Sequence, residues 1–449
     1  MKKLNSPIAI LGFGNEGQYA LKFLQEQSYS NITICDENES IEIPEDIKKK
    51  CGEKAFEDLT PFKTIIRSPG VHYNSPGILE AKNTGALVTS MTELSLEIGR
   101  DRMTAITGSN GKTTTTGMLD AILKAHYQNK IIVGGNDRSP VLSEAIEHPT
   151  WPILMEVSSF QFADLQMSPH IAGVLNIKPN HMDWHENMED YVHAKKNIMA
   201  HQNENDCCVL NANDENSAKL AEHAKGKIFW VGKKEGENWV IWEEGEASEP
   251  RLQASWNNQN IQILQKSDLV VKTHPDNIAF TAAVSLIHDV NPILIKKTLM
   301  DFKGMPHRIE FIRDIDSIKF YNDSACTTPE SAEVCIDQFE PGKLILLLGG
   351  SSKSSDFRFL AEKIVKNRVR VYLYGEEGSK IKALIEAENG QDLILKYDES
   401  KDFPNIINNA YQMAGPNDNI VLSPACASFD MFKNAKERGR LFREIVEGL

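Results

Sequence analysis

The stretch Met103-Thr-Ala-Ile-Thr-Gly-Ser-Asn-Gly-Lys-Thr-Thr-Thr-Thr116 constrains the fold more than any other part of the chain. Met103 to Thr107 has the length and apolar character of a short buried strand. Gly108 to Gly111 is a loop with two glycines and an asparagine. From Thr113 onward, Met118, Ala121 and Leu123 recur at the spacing of a helix with one apolar face. A strand, a glycine-rich loop and a helix opening on Lys-Thr is the geometry that cradles phosphates. Backbone N–H groups point inward, the helix N-terminus adds partial positive charge, the lysine reaches the β/γ-phosphates and the hydroxyl meets Mg²⁺. Gly108, Ser109, Asn110, Gly111, Lys112, Thr113 and Thr114 are therefore candidates for binding ATP phosphates. The general pattern G-x-x-x-x-G-K-[ST] is not met in full, because its first glycine would fall at Ile106. Taken bare, the stretch also fits a structural turn.

At 449 residues the chain exceeds what one core supports, so two or three domains are expected. Its 41% apolar and 25% charged content are those of a soluble globular protein. A formal net charge of −14 disfavours a nucleic-acid binder. Seven cysteines, an odd number with no C-x-x-C spacing, point to a reduced, cytoplasmic protein. The apolar run after Met-Lys-Lys ends at Gly12, which favours a first strand over a signal peptide. No apolar run reaches 18 residues, so no membrane span is expected. The expected partners are small molecules, and the expected state is a monomer.

Ile8 to Gly17 reads as a strand followed by G-x-G-x-x-G, and Ile32 to Asp36 as a second strand ending in an acid. That is the dinucleotide-binding fingerprint, a weak signal when alone, and NAD remains open on it. Thr64-Ile-Ile-Arg67 is a further strand, ending in Ser68-Pro69-Gly70. Beyond the glycine-rich loop, Ile131 to Asn136 ends a strand in G-G-N, and Pro152 to Glu156 ends one in an acid. A strand-end carboxylate suits hard Mg²⁺, although a lone one is more often a solvated cap. Val174 onward delivers His181, which can ligate a metal or position a phosphate. Cys207 to Val271 reads as a small peripheral sheet with exposed acidic loops. Phe302 to Glu310, bracketed by Gly and Pro, is the linker to a last segment whose strands alternate with helices. That alternation implies a second doubly wound sheet. Phe320 to Ser324 ends a strand at Asp323, an acid suited to a ribose or Mg²⁺.

The form T-G-x-N-G-K-T-T, the strand end Glu156-x-Ser-Ser-Phe-Gln161, His181-Met-Asp followed by Tyr191-x-x-Ala-Lys195, and the tail Ser423-Pro-Ala-Cys-Ala-Ser428 together resemble the Mur ligase family. Its members join an amino acid to a carboxylate using ATP. The resemblance spans essentially the whole chain and is nearest to the glutamate-adding branch. It implies an α/β protein of three domains. These are a Rossmann-like UDP-sugar-binding domain (1–99), a central P-loop ATP-binding domain with a parallel sheet and a small peripheral sheet (100–302), and a Rossmann-like glutamate-binding domain (303–449). It implies an acyl-phosphate mechanism on UDP-N-acetylmuramoyl-L-alanine (UDP-MurNAc-L-Ala), with two Mg²⁺ ions.

By the same resemblance, Asn15, Glu16, Asp36, Ser68, Pro69, Gly70, Asn136, Ser158, Gln161 and His181 face the UDP-sugar. Thr113, Glu156, His181 and a carbamylated Lys195 hold the metals, and Asn277, Arg308 and Asp323 join the ATP site. Lys112, Glu156, His181, Lys195 and Arg308 are the catalytic set. Thr327, Lys353 and Ser428 take glutamate. Three positions depart from the family pattern. Phe280 stands where a second asparagine is usual, Ala325 replaces a lysine and Ala435 replaces a phenylalanine. The last two bear on the hand of the amino acid. D-glutamate is expected first, and L-glutamate or another Mur-type amino acid is the alternative. A folate polyglutamate ligase, an NAD-dependent oxidoreductase and a non-catalytic nucleotide-binding regulator are the other rivals.

Overall fold

The structure is a computed structural model and describes residues 2–136, 141–182, 184–245, 249–352 and 355–449. The chain divides into two compact units. The first holds Met1–Lys266 and Pro275–Thr298, the second Ser267–His274 and Leu299–Leu449.

The first unit carries two sheets. Its N-terminal sheet is five parallel strands in the order Lys48–Cys51, Ile32–Asp36, Ile8–Leu11, Thr64–Arg67, Leu87–Thr89. Ile8–Leu11 is central and wholly buried, with Ile8 in register with both Ile32 and Thr64. A strand covered on both faces has no wet side, which is why it reads as an unbroken apolar run. At its end Gly12 takes a φ of +78°, a conformation that costs glycine little.

The second sheet has nine strands. Their order is Gln259–Gln265, Pro250–Trp256, Trp239–Glu244, Lys227–Val231, Cys207–Asn211, Ile171–Val174, Met103–Thr107, Ile153–Glu156, Ile132–Gly134. Met103–Thr107 pairs in parallel with Ile153–Glu156 on one side and Ile171–Val174 on the other. The expected small sheet is present as an extension of this one, with Trp239–Glu244, Pro250–Trp256 and Gln259–Gln265 pairing antiparallel at its edge. Residues 246–248 of the expected acidic loop lie outside the described residues.

Phe280 explains one departure from the family pattern. It lies on the helix Pro275–Ile287, fully buried. Its ring packs so closely on the central strands that a Cβ on Gly173 would stand 2.7 Å from its Cζ and 2.8 Å from Ile106 Cδ1. An aromatic ring on one element and a glycine on the facing strand fill one space together. An amide there would lie against Ile106 with lost packing and an unpaired polar group.

The second unit has one sheet, ordered Glu310–Ile315, Ile318–Asn322, Asn419–Leu422, Leu344–Gly349, Arg370–Tyr374, Ile394–Asp398. Among the described residues only its first pair is antiparallel. Buried clusters line both faces, one around Leu346, Leu348 and Val371, the other around Ile345, Leu347 and Phe442. Alternate residues of Leu344–Leu348 thus serve opposite cores.

Phe280→Asn, which restores the family's usual residue, is expected to destabilise the protein by about 3–5 kcal/mol, the scale of a deleted buried ring. Urea unfolding followed by tryptophan fluorescence checks this. An unchanged midpoint would show that the ring is not part of the core.

Candidate active site

Three loops leave the carboxyl ends of neighbouring parallel strands, where open α/β sheets bind ligands. Met103–Thr107 runs into Gly108–Gly111, Ile153–Glu156 ends on its acid, and Ile171–Val174 leads into the loop carrying His181. The helix after the first loop begins at Lys112, with Gly111 as N-cap at φ +82°. Asn277, buried at the start of its helix, backs onto that turn so closely that a Cβ on Gly111 would meet its amide.

Loop to loop, the site is tied by side chains. Asn176 Oδ1 accepts from the Asn110 N–H (2.9 Å), and its amide nitrogen donates to the Asn110 carbonyl (3.0 Å). Ser109 is buried, donates to the Lys178 carbonyl (2.9 Å) and lies 2.9 Å from the Tyr191 hydroxyl. Lys112 Nζ donates to the Gly108 carbonyl (2.8 Å) and the Ser109 carbonyl (3.3 Å), so the ammonium lies over the loop.

Glu156 is 2% exposed. Its Oε1 accepts from Thr113 Oγ1 (3.0 Å) and from Asn136 Nδ2 (3.0 Å). The structure thus brings together the expected phosphate-loop hydroxyl, the strand-end acid and the Gly-Gly-Asn amide. Lys195 is also 2% exposed, and its Nζ donates to Thr107 Oγ1 (3.2 Å) and the Gly108 carbonyl (3.1 Å). Burial, with the nearby Lys112 charge, holds this amine well below the usual lysine range. Its neighbour Lys196 is half-buried and lines a different cleft with Glu189, His193 and Glu222.

His181 is exposed at φ +57°, its ring edge-on to Phe160 at 4.8 Å. His185, which the sequence did not single out, is buried and clamped between Asp190 (Nδ1, 2.8 Å) and Ser159 (Nε2, 2.9 Å). Burial pushes its pKa down. Among the described residues, no group of three His, Cys, Asp or Glu side chains gathers to hold a metal ion. The donors at hand, one buried carboxylate and one hydroxyl, suit a hard cation that takes its remaining ligands from phosphate and water.

On the N-terminal side, Asp36 binds the glycine loop through the Phe13 N–H (2.6 Å), and Ser68 donates to the Gly12 carbonyl (2.7 Å). The residue that fixes Ser68-Pro69-Gly70 is Arg67. It is 1% exposed and donates to the Pro69 carbonyl (3.3 Å), the Val71 carbonyl (2.9 Å) and Asp164 (2.7 Å). An arginine inside an apolar strand was the signal, since a charge is buried only when paired. Trp184 adds a second tie, donating from Nε1 to the Gly70 carbonyl (3.2 Å). Ser158 caps the turn Ser159–Phe162 with Gln161, whose Nε2 donates to Glu16 Oε2 at 3.4 Å.

Asn15, Glu16, Asn136, Met155 and Gln161 line a small cavity of about 20 Å³, room for about one water molecule. Within it, Glu16 Oε1 is buried without a hydrogen-bond partner among the described residues. Burial pushes its carboxyl up to about 7, against the lowering effects of Arg67 and Gln161.

In the second unit Arg308 is exposed, with its N–H on the Met305 carbonyl at 3.0 Å. Asp323 is buried and accepts from Ser423 Oγ (2.8 Å) and the Ile309 N–H (3.2 Å). Burial pushes its carboxyl up to about 7. Thr327 is half-buried, Ser428 buried and Ala325 exposed. Lys353 lies outside the described residues.

Comparison with known proteins gives this arrangement a family. Residues 6–90 match the Mur ligase MurD-like N-terminal domain, 106–284 the Mur ligase middle domain and 307–426 the Mur ligase glutamate ligase domain. The UDP-N-acetylmuramoylalanine--D-glutamate ligase of Acetivibrio thermocellus is 34% identical over 461 aligned positions, covering 99% of this chain and 97% of that protein. The ligase of the same name from Clostridium perfringens is 33% identical, covering 98% and 96%. Among solved structures, UDP-N-acetylmuramate-alanine ligase MurC of Thermotoga maritima shares the fold at a TM-score of 0.58 and 18% identity, covering 98% of this chain and 99% of that one. MurF of Acinetobacter baumannii does so at 0.58 and 16%, covering 93% and 85%. The chain belongs to the Mur ligase family. No helix among the described residues is long and apolar enough to cross a membrane.

Glu16 gives a test of the cavity. Its folded-state pKa lies above the ordinary 4.5, so the fold keeps a proton that the unfolded chain has already lost. Wild type therefore loses stability as pH rises from 4.5 to about 7. Glu16→Gln is expected to gain on wild type across that window and to hold a constant advantage above it. Thermal unfolding at a series of pH values measures the gap, and a gap independent of pH would contradict the burial of this carboxyl.

Proposed function

We propose that this chain is an ATP-dependent carboxylate–amine ligase that adds D-glutamate to UDP-MurNAc-L-Ala in peptidoglycan precursor synthesis. The observation that carries the reading is the meeting of Thr113 and Asn136 on buried Glu156 beside a loop that folds Lys112 over its mouth. Near-full-length identity to D-glutamate ligases supports the substrate pair.

In this reading the alanyl carboxylate attacks the γ-phosphorus of ATP and ADP leaves. The amine of glutamate then attacks the acyl phosphate, and inorganic phosphate leaves as the amide forms. Oxide is a poor leaving group and phosphate a good one, which is what the first step supplies. Lys112 and the loop N–H groups hold the phosphates and offset the charge that builds on them. Asn136 and Gln161 orient the acyl end of the sugar substrate, and Ser68, Asp36 and Arg67 set the loops around its nucleotide. The domains are assigned at 1–99, 100–302 and 303–449.

The reading includes two Mg²⁺ ions. Glu156 and Thr113 would hold one, and His181 with a carbamylated Lys195 the second; bound, they would neutralise phosphate charge. Lys195 supports its part in a specific way. Only a neutral amine adds to CO₂, and its burial favours the neutral form. Carbamylation turns a cation that would repel a metal into an anion with two oxygens. Lys195→Ala is expected to be nearly inactive and to regain activity with added short carboxylic acids, while Lys196→Ala stays close to wild type. Equal damage from the two would remove the assignment.

The hand of glutamate is the finer part of the proposal. Phosphate release from ATP with UDP-MurNAc-L-Ala, run with D-glutamate and L-glutamate separately, is expected to proceed with the D form, and to stop in Lys112→Ala while UDP-sugar binding survives. Ala325 and Ala435 are the residues on which an L preference would rest. Turnover only with L-glutamate would overturn the stereochemistry and leave the mechanism.

A further inference from the structure

The second unit contains a charged group that neither the phosphate chemistry nor the family pattern has accounted for. Arg438, in the first turn of the helix Ala435–Gly448, is 0% exposed. Its Nε donates to Ser324 Oγ (3.0 Å), its Nη2 to the Ser324 carbonyl (3.0 Å) and the Cys426 carbonyl (3.2 Å), and its Nη1 to the Ala427 carbonyl (3.3 Å). Ser324 Oγ in turn donates to the Ala435 carbonyl at 2.7 Å, closing the ring onto Arg438's own helix.

A third loop meets the same group. The Ser351 N–H donates to the Ala427 carbonyl at 3.0 Å, and the Gly349 N–H to the Pro424 carbonyl at 3.0 Å. A Cβ on Gly350 would stand 3.3 Å from Arg438 Nη1, and Gly350 has a φ of +143°. These three loops leave the adjacent strands Ile318–Asn322, Asn419–Leu422 and Leu344–Gly349. The first leads to Thr327, the second to Ser428 and the third to the Gly349-Gly350 turn.

Among the described residues no carboxylate forms an ion pair with Arg438; Asp430 feels its charge without pairing to it. A buried guanidinium met only by neutral oxygens is a costly way to fill a core, since a hydrophobic residue of similar volume avoids the desolvation. Its rigid fork of donors does something an apolar residue cannot, which is to fix three separate loops in one register. Its charge, offset in part by Asp430 but without an ion-pair partner among the described residues, favours an anion seated on those loops.

We propose that Arg438 is the positioning residue of the amino-acid subsite. It holds the loops of Thr327 and Ser428 at a fixed separation and biases the subsite toward an acidic amino acid. The proposal rests on the reading of those two residues as amino-acid contacts.

Steady-state kinetics of the full-length Arg438→Lys, Arg438→Ala and Ser324→Ala variants test it, with thermal unfolding alongside. Arg438→Lys keeps the charge and loses the fork. It is expected to raise the KM for glutamate about tenfold or more, with the KM values for ATP and UDP-MurNAc-L-Ala within about twofold of wild type. Arg438→Ala is expected to regain part of its glutamate affinity with added guanidinium ion. Ser324→Ala, which removes one arm of the clamp, is expected to raise the glutamate KM by a smaller factor, and it serves where the arginine variants fail to fold. An unchanged glutamate KM in Ser324→Ala and Arg438→Lys, or an equal loss for all three substrates, would overturn the proposal. Wild-type turnover with a different acidic amino acid, whose KM rises in Arg438→Lys, would overturn the glutamate reading and keep the clamp. Wild-type turnover with no acidic amino acid would overturn both.

Discussion

The parallel pairing of Met103–Thr107 with Ile153–Glu156 and Ile171–Val174 is the constraint on which the first unit's chemistry depends. Parallel strands end at one level, so three loops far apart in sequence open at the same place. Buried side chains then join them. Ser109 reaches the Lys178 carbonyl, Thr113 reaches Glu156, and Lys195 reaches back to Thr107 and Gly108. Each tie holds a polar group that would be expensive to bury unpaired. The loops are therefore positioned before any ligand arrives, which is what electrostatic stabilisation of a phosphate transition state requires.

Much of this was legible in the sequence because it is local. A strand, a turn glycine and a helix start announce themselves within a dozen residues, and Ile8–Leu11, Ile32–Asp36 and Met103–Thr107 form where the apolar runs place them. The meeting of Asn136 with Glu156 was anticipated as two separate strand ends, and the hydrogen bond between them adds the geometry. What pattern could not supply were partners distant along the chain. Arg67 and Asp164 are 97 residues apart, and Arg438 and Ser324 are 114 apart. Phe280 was visible only as a mismatch to a motif; its reason is the facing Gly173, which no local window pairs with it.

The two units solve the same problem with different groups. In the first, a buried carboxylate and a buried amine sit close to a cluster of backbone dipoles. In the second, a buried guanidinium spans carbonyls from neighbouring strand ends, and a buried acid, Asp323, lies one residue before the Ser324 that it clamps. Both arrangements keep ionisable groups out of water, where their charge state depends on their neighbours. Glu16, Lys195 and Asp323 are all shifted toward the neutral form by burial.

Arg67 carries a mechanical consequence as well as a structural one. Its guanidinium spans the Ser68-Pro69-Gly70 turn and Asp164, while Trp184 reaches from the His181 loop back to Gly70. The Ser68-Pro69-Gly70 turn is thus fastened at two points, to the segment of Asp164 and to the loop of His181. Whatever quiets the motion of one loop reduces the freedom left to the other. Were ligands to settle on both, the first to bind would prepay part of the ordering entropy that the second would otherwise meet, a coupling through stiffness rather than through a change of shape.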